Sequence, residues 1–405
     1  MGVYEGLGVK KLINCMGPVT KIGGSLMSVE VIKAMNEAAK SFVSIDELLE
    51  KSGERIAELT GAPAAFITSG AAAGLAVSVA ACMAGSDTIK AKQLPDTSGM
   101  KDKIIFHNCH RIHYDQAIRI TGASFIGIGF SDYSDTTDLK PYINSETAAI
   151  IYVAKFEEFK GSIPLGEIIS IAHDSKIPVI VDAADELHIL SNLHKYTDMG
   201  ANLVIYSGGK GIKGPQGSGF ILGDKDLIKA CSFNASPNHG IGRPMKVSKE
   251  EIVGLTKAVE LYVKKDFELE MRSWEKQRDY IWEKLSGLVQ LKINDKNNIL
   301  HGAPGSFNLP SLYIDLEEEN LSLKRDKIIE KLWEGNPRIA VEKSSTGIII
   351  RMMMLEIGQE KLVAKKLLEV FKKQNVLNKL DCKNCIINEY YCVRLDLSDI
   401  LVIRL

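Results

Sequence analysis

Between residues 60 and 230, short apolar runs alternate with stretches whose apolar residues recur at helical spacing. The runs are AAFIT (64 to 68), KIIFH (103 to 107), SFIGI (124 to 128), AAIIYV (148 to 153), IPVIVD (177 to 182), NLVIY (202 to 206) and SGFILG (218 to 223). Most are nearly continuous in apolar character, as expected of strands covered on both faces. Alternation with helices predicts an open, mostly parallel α/β sheet of seven strands. The Ala- and Gly-rich stretch 71 to 85 reads as a buried helix and is too short to span a bilayer.

Beyond the sheet, apolar positions at Ile252, Leu255, Val259 and Val263 predict one long helix over 249 to 285. The remainder alternates again, with strands at 311 to 316 and 347 to 353 and helices near 322 to 334 and 358 to 375. The expected organisation is an N-terminal segment (1 to 60), a large α/β domain (61 to 247), a connecting helix (248 to 287), a small α+β domain (288 to 380) and an irregular tail (381 to 405).

Composition narrows the classes. A chain of 405 residues has room for a large domain and a smaller one. With 50 basic and 51 acidic side chains, the balance argues against a nucleic-acid footprint, so no nucleic-acid partner is expected. Seven scattered cysteines give no disulfide framework, and no signal sequence opens the chain, so the cytoplasm is the expected location and no membrane is involved. Cys382, Cys385 and Cys392 have a metal-like spacing, but nothing nearby completes four ligands, so no metal is expected.

In open α/β sheets ligands bind outside the carboxyl ends of strands. Four features fall there. TSGAAAG (68 to 74) follows a strand and opens a helix, so the amides of Ser69, Gly70 and Ala71 can face an anion. Asp182 ends a buried strand, where its carboxylate needs a cationic partner or hydrogen bonds. Lys210 lies in the glycine-dense stretch YSGGKGIKGPQGSG (206 to 219), one helix and one strand after Asp182, with Ser207 before it. His110, in CHRIHYD (109 to 115), is placed to stack on a ring. Three of them have a plainer reading: a small-residue turn for TSGAAAG, a helix cap for Asp182 and a structural histidine at position 110. A lysine able to form a Schiff base, a carboxylate for a pyridinium nitrogen and a phosphate cradle together describe pyridoxal 5'-phosphate chemistry. The Walker pattern fails, because Gly211 follows Lys210 where serine or threonine is required.

The runs INCMGPVTKIGGSLMS (13 to 28), FVSIDELLEKSGERIAELTGAPAAFITSGAAAGLA (42 to 76), HRIHYD (110 to 115), VIVDAADEL (179 to 187), YSGGKGIKGPQGSGF (206 to 220) and GIGRPMKVSKEEIVGL (240 to 255) resemble the fold-type I pyridoxal phosphate enzymes. Within them the chain resembles the family of bacterial selenocysteine synthase and D-glucosaminate-6-phosphate ammonia-lyase. The likeness covers about residues 4 to 260; the C-terminal third matches in outline.

The resemblance implies the fold-type I transferase fold, with Lys210 as the Schiff-base lysine and Asp182 as the partner of the pyridine nitrogen. Ser69, Gly70, Ala71 and Ser207 would then contact phosphate, and His110 the ring. It implies Arg351, in GIIIRMMM, as the binder of a substrate carboxylate; a solvent-facing charge is the alternative. Arg243, in GRPMK, is the candidate for a substrate phosphate, against an interface salt bridge.

Selenium transferases carry an N-terminal tRNA-gripping region, whereas this chain reaches INCMGPVT by residue 13. GGSLMS and GRPMK resemble the ammonia-lyase side. The expected activity is release of ammonia from a 2-amino-3-hydroxy acid by Cα deprotonation and β-elimination, with the amino sugar acid D-glucosaminate 6-phosphate as candidate substrate. A selenium- or sulfur-handling transferase or β-lyase is the alternative, and a cofactor-binding regulator without turnover the alternative of another class. A homodimer or higher homo-oligomer is expected.

Overall fold

The computed structural model describes residues 2–157, 161–286, 288, 291–294, 309–316, 324–380, 385–388, 391–396 and 399–404. Residues Pro18–Phe267 form one compact unit; Met1–Gly17, Glu268–Asn298 and Asn308–Leu405 form another.

Strand β1 (Leu12–Cys15) belongs to the second unit. The first unit is built on β2 (Ala64–Thr68), β3 (Lys103–His107), β4 (Ser124–Ile128), β5 (Thr147–Val153), β6 (Val179–Asp182), β7 (Leu203–Ser207) and β8 (Gly219–Gly223). They form a seven-stranded sheet in the order β2-β8-β7-β6-β5-β3-β4. Only β8 runs against its neighbours; the β7, β6, β5, β3 and β4 pairings are all parallel. The expected sheet is therefore present, and its central strands are buried along their length, which is why their sequences lack a polar face.

The helix Ala71–Ala84 is buried over most of its length. Its small residues let it lie flat on the sheet: a Cβ added at Gly74 would stand 2.8 Å from the Ile205 Cγ2 methyl. Helix Ile45–Thr60 starts at Ser44, whose side chain accepts the Glu47 N–H, and stops at Gly61, which has φ 66°. No described helix is long and apolar enough to cross a membrane.

The single helix expected over 249 to 285 is two helices, Lys249–Tyr262 and Phe267–Leu285. The first begins with a reciprocal cap, Ser248 accepting the Glu251 N–H and Glu251 accepting the Ser248 N–H. Apolar spacing persists across the break, so periodicity missed it. The chain passes from one compact unit to the other at Phe267.

In the second unit, β9 (Leu291–Asn294), β10 (Ser311–Leu316), β11 (Arg338–Lys343) and β12 (Gly347–Arg351) join β1 in the order β1-β11-β12-β10-β9. Helices Arg325–Glu334 and Gln359–Leu380 accompany them. The tail expected to be irregular instead forms three antiparallel strands, β13 (Cys385–Asn388), β14 (Tyr391–Asp396) and β15 (Asp399–Arg404). Its β-rich composition, as in DILVIR, accounts for the difference. Cys382 lies outside the described residues, and so do the side chains of Cys385 and Cys392.

Candidate active site

The parallel strands of the first unit end along one edge of the sheet. Thr68 and Ser207 are both level with Gly219, Asp182 is level with Ile205, and Val153 with Asp182. The edge therefore gathers the start of the Ala71–Ala84 helix, Ser207, Asp182 and the segment after Val153.

At the β2 end, Gly70 caps the helix with φ 90°, and Thr68 Oγ1 donates to the Gly70 carbonyl at 2.9 Å. The first-turn amides of a helix have no intrahelical acceptor. Gly219 is pressed against them: an added Cβ would come within 2.7 Å of the Gly70 carbonyl carbon and 2.8 Å of the Ala71 nitrogen. This is the surface expected of Ser69, Gly70 and Ala71, with Ser207 on the second strand over.

Lys210 follows β7 in a loop whose glycines are needed for close approach. A Cβ at Gly211 would lie 1.5 Å from the Leu187 carbonyl oxygen, and one at Gly209 would lie 2.6 Å from the Gln216 Cα. The stretch 20 to 25 covers the loop: Ser25 Oγ donates to the Gly209 carbonyl at 2.9 Å, and Gln216 Nε2 to the Thr20 carbonyl at 2.9 Å. Gly24, at φ 69°, approaches the same Gly209 carbonyl. These contacts explain why KIGGS and the lysine loop carry glycines nearly two hundred residues apart.

Asp182 is 8% exposed, and its Oδ1 accepts the Ala184 N–H at 3.1 Å. It makes no ion pair among the described residues. Burial pushes its carboxyl up, while the Ala184 amide and the charge of Lys210 pull it down. A buried carboxyl short of a cation is what a protonated ring nitrogen would satisfy, so this position fits a pyridinium partner.

The Lys210 amine is 3.3 Å from Asp185 Oδ1, and Lys155 Nζ is 3.8 Å from Asp185 Oδ2. Glu186, next in sequence, is pushed up to about 7 by burial and by the charge of Asp185, against a hydrogen bond from Tyr196 at 3.3 Å. The sequence does not single out Asp185, Glu186 or Lys155; the two acids are marked only by the density of acids in VDAADEL, and Lys155, in AKFEEF, by nothing.

His110 sits in the short turn Asn108–His110 after β3. It is fully buried, stacked on Phe156 with centroids 5.4 Å apart and edge-on to Tyr152 at 4.7 Å. The Val153 N–H donates to its Nδ1 at 3.4 Å. Fully buried among these rings, His110 presents no open face for stacking on a cofactor in this structure. Burial, then the neighbouring His107, pushes the His110 imidazole down to about 3.

Arg243 is exposed, and its guanidinium makes no hydrogen bond or ion pair among the described residues. Arg351 ends β12 in the second unit, where its Nε donates to Glu342 Oε2 at 2.5 Å. An added Cβ at Gly17 would stand 3.4 Å from its Cδ.

The chain matches the family described as L-seryl-tRNA selenium transferase over residues 12–273. A D-glucosaminate-6-phosphate ammonia lyase of Salmonella typhimurium is 38% identical over 265 residues, 64% of this chain and 70% of that one. A 5'-C-glycyluridine monooxygenase-decarboxylase of a Streptomyces species is 37% identical over 266 residues, 64% of this chain and 65%, just under two thirds, of its own. The solved structure of a D-glucosaminate-6-phosphate ammonia-lyase superposes with a TM-score of 0.81 at 31% identity, covering 93% of this chain and 99% of that one. The fold is that of the fold-type I pyridoxal phosphate enzymes.

Proposed function

The chain belongs to the L-seryl-tRNA selenium transferase family, and from that footing we propose that it is a pyridoxal phosphate-dependent lyase releasing ammonia from a 2-amino-3-hydroxy acid. D-glucosaminate 6-phosphate is the first substrate to test, because the ammonia lyase of that name is the relative whose structure this chain follows over nearly its whole length. The observation that carries the reading is the buried Asp182 carboxyl at the end of β6, without an ion-pair partner among the described residues, with Lys210 in the loop that follows the neighbouring strand β7.

Pyridoxal phosphate, when bound, supplies an electron sink that weakens the Cα–H bond of an attached amino acid. The residues here supply the rest. Asp182 would accept the ring N–H and keep that proton in place. The amides of Ser69, Gly70 and Ala71 and the Ser207 hydroxyl would hold the phosphate. Lys210 Nζ, once free, would take the Cα proton. In sum the β-hydroxyl leaves as water and a water hydrolyses the released enamine after it tautomerises to the imine, so the substrate becomes a 2-oxo-3-deoxy acid and ammonia without an outside oxidant. Arg351 is proposed to bind a substrate carboxylate and Arg243 a substrate phosphate.

The test is an absorbance spectrum of purified protein with pyridoxal phosphate, followed by ammonia and 2-oxo acid assays on D-glucosaminate 6-phosphate, serine, cysteine and 5'-C-glycyluridine. Oxygen uptake is recorded alongside. Ammonia from the sugar acid without oxygen uptake supports the lyase. Oxygen-dependent turnover of the glycyl nucleoside moves the chemistry to decarboxylation, and no cofactor band sinks the whole reading.

A further inference from the structure

Asp185 stands between two lysines, at 3.3 Å from Lys210 Nζ and 3.8 Å from Lys155 Nζ. One carboxylate balances one ammonium, so it has a cation to spare whenever both lysines are charged. It keeps Lys155 when Lys210 is neutral.

The backbones carrying Asp185 and Lys210 are locked together. Gly211 abuts the Leu187 carbonyl so closely that an added Cβ would be 1.5 Å from the oxygen. The Lys213 N–H returns to the Lys210 carbonyl at 3.0 Å. On the other side, the Glu186 N–H donates to the Ala183 carbonyl at 3.1 Å, and the Asp185 carbonyl is 3.2 Å from His188 Nδ1. Loop drift cannot easily separate the carboxylate from the root of the lysine.

We propose that Asp185 is a positioning residue for Lys210: it holds the amine at the strand ends and stabilises the ammonium that Lys210 becomes on taking the substrate's Cα proton, while Lys155 balances Asp185 whenever Lys210 is uncharged. The inference rests on the reading of Lys210 as proton acceptor given above. In that step the Cα–H bond breaks, the proton passes to Nζ, and the electron pair stays with the substrate and its conjugated cofactor. Nζ goes from neutral to positive. A fixed carboxylate beside it favours that product over the reactant, which is how a preorganised charge accelerates a step. Lys155 removes the opposite difficulty, a carboxylate stranded when Lys210 is neutral.

The apoenzyme gives the first readout. It is acetylated with limiting acetic anhydride at one pH, and modification of Lys210 is quantified by mass spectrometry against the exposed Lys229. An amine held by a carboxylate is a poorer nucleophile than one released. Asp185→Asn should raise Lys210 labelling by about fivefold, Asp185→Glu by less, and Lys155→Gln not at all. In the holoenzyme, Asp185→Asn should lower kcat by roughly tenfold with KM little changed, enlarge the isotope effect with Cα-deuterated substrate, and recover in part in Asp185→Glu.

Wild-type labelling in Asp185→Asn overturns the proposal, and so does faster labelling with unchanged kcat and isotope effect, since the pair would then be structural only. If Asp185→Asn does not fold, Lys155→Gln decides: faster Lys210 labelling than wild type overturns the assignment, and equal or slower labelling supports it. Failure of the wild type to bind pyridoxal phosphate would sink the reading of Lys210 separately, because the apoenzyme labelling does not depend on it.

Discussion

Lys210 Nζ lies 3.3 Å from the carboxylate of Asp185, three residues beyond Asp182. The two acids of VDAADEL thus have different surroundings. Asp185 takes the amine, while Asp182 is left buried with the Ala184 amide as its donor and a carboxyl pushed up by burial. A cationic ring nitrogen would reverse that penalty on Asp182 without competing for Lys210.

Replacing either residue should therefore fail in its own way. Lys210→Ala removes the proton acceptor and should lower kcat by at least about a thousandfold, with loss of the absorbance band of the lysine-bound cofactor. Asp182→Asn leaves that band and should lower kcat on the order of a hundredfold. Steady-state kinetics with paired spectra would tell them apart; a band surviving in Lys210→Ala would refute the assignment of the lysine.

Gly219 packs the start of the Ala71–Ala84 helix, proposed above to hold the phosphate, against the sheet. Its substitution by alanine drives a Cβ to within 2.8 Å of the Ala71 nitrogen, so the helix start must shift. Overpacking of this kind usually destabilises by about 1–3 kcal/mol. The larger effect should be on cofactor affinity, weakened by about tenfold or more. Titration of the apoenzyme with pyridoxal phosphate checks this, and unchanged affinity would place the phosphate elsewhere.

His107 is buried, and among the described residues neither ring nitrogen is hydrogen-bonded; it lies against His110 at 4.7 Å. Burial pushes its imidazole down from 6.5 to about 4. The sign follows: between these values the unfolded chain binds a proton that the folded chain refuses, so stability falls as pH drops from about 6.5 to 4. His107→Phe removes this loss and the orphaned nitrogens. It should stabilise the protein at pH 5 more than at pH 8, by about 1–3 kcal/mol, as read by urea unfolding. Equal effects at both pH values would show that His107 is not held neutral.

The sheet was legible because its strands are buried on both faces and read as unbroken apolar runs, from AAFIT to SGFILG. Lys210 and Asp182 were legible because a lysine among glycines and an acid ending an apolar run are both unusual. The pairing of Lys210 with Asp185 was not, since it depends on a turn in which Gly211 meets Leu187. Nor was the burial of His110, because a strand end does not reveal that Phe156 will stack on the ring. The helix break before Phe267 escaped for a similar reason: apolar spacing is continuous through it.

Glu186 gives a last pH signature, opposite in sign to that of His107. Burial and the charge of Asp185 raise its carboxyl from 4.5 to about 7, although Tyr196 donates to it. Below about 4.5 both folded and unfolded chains hold the proton, and nothing is lost. As pH rises from there to about 7, the unfolded chain releases the proton while the folded chain retains it, so stability declines until both are ionised. The full difference corresponds to about 3 kcal/mol. Glu186→Gln keeps an acceptor for Tyr196 without the charge, so it should stabilise the apoenzyme at pH 8 and have little effect at pH 5. Urea midpoints at the two pH values test this. A variant destabilised equally at both would mean that Glu186 is ionised throughout, held by a cation that outweighs its burial.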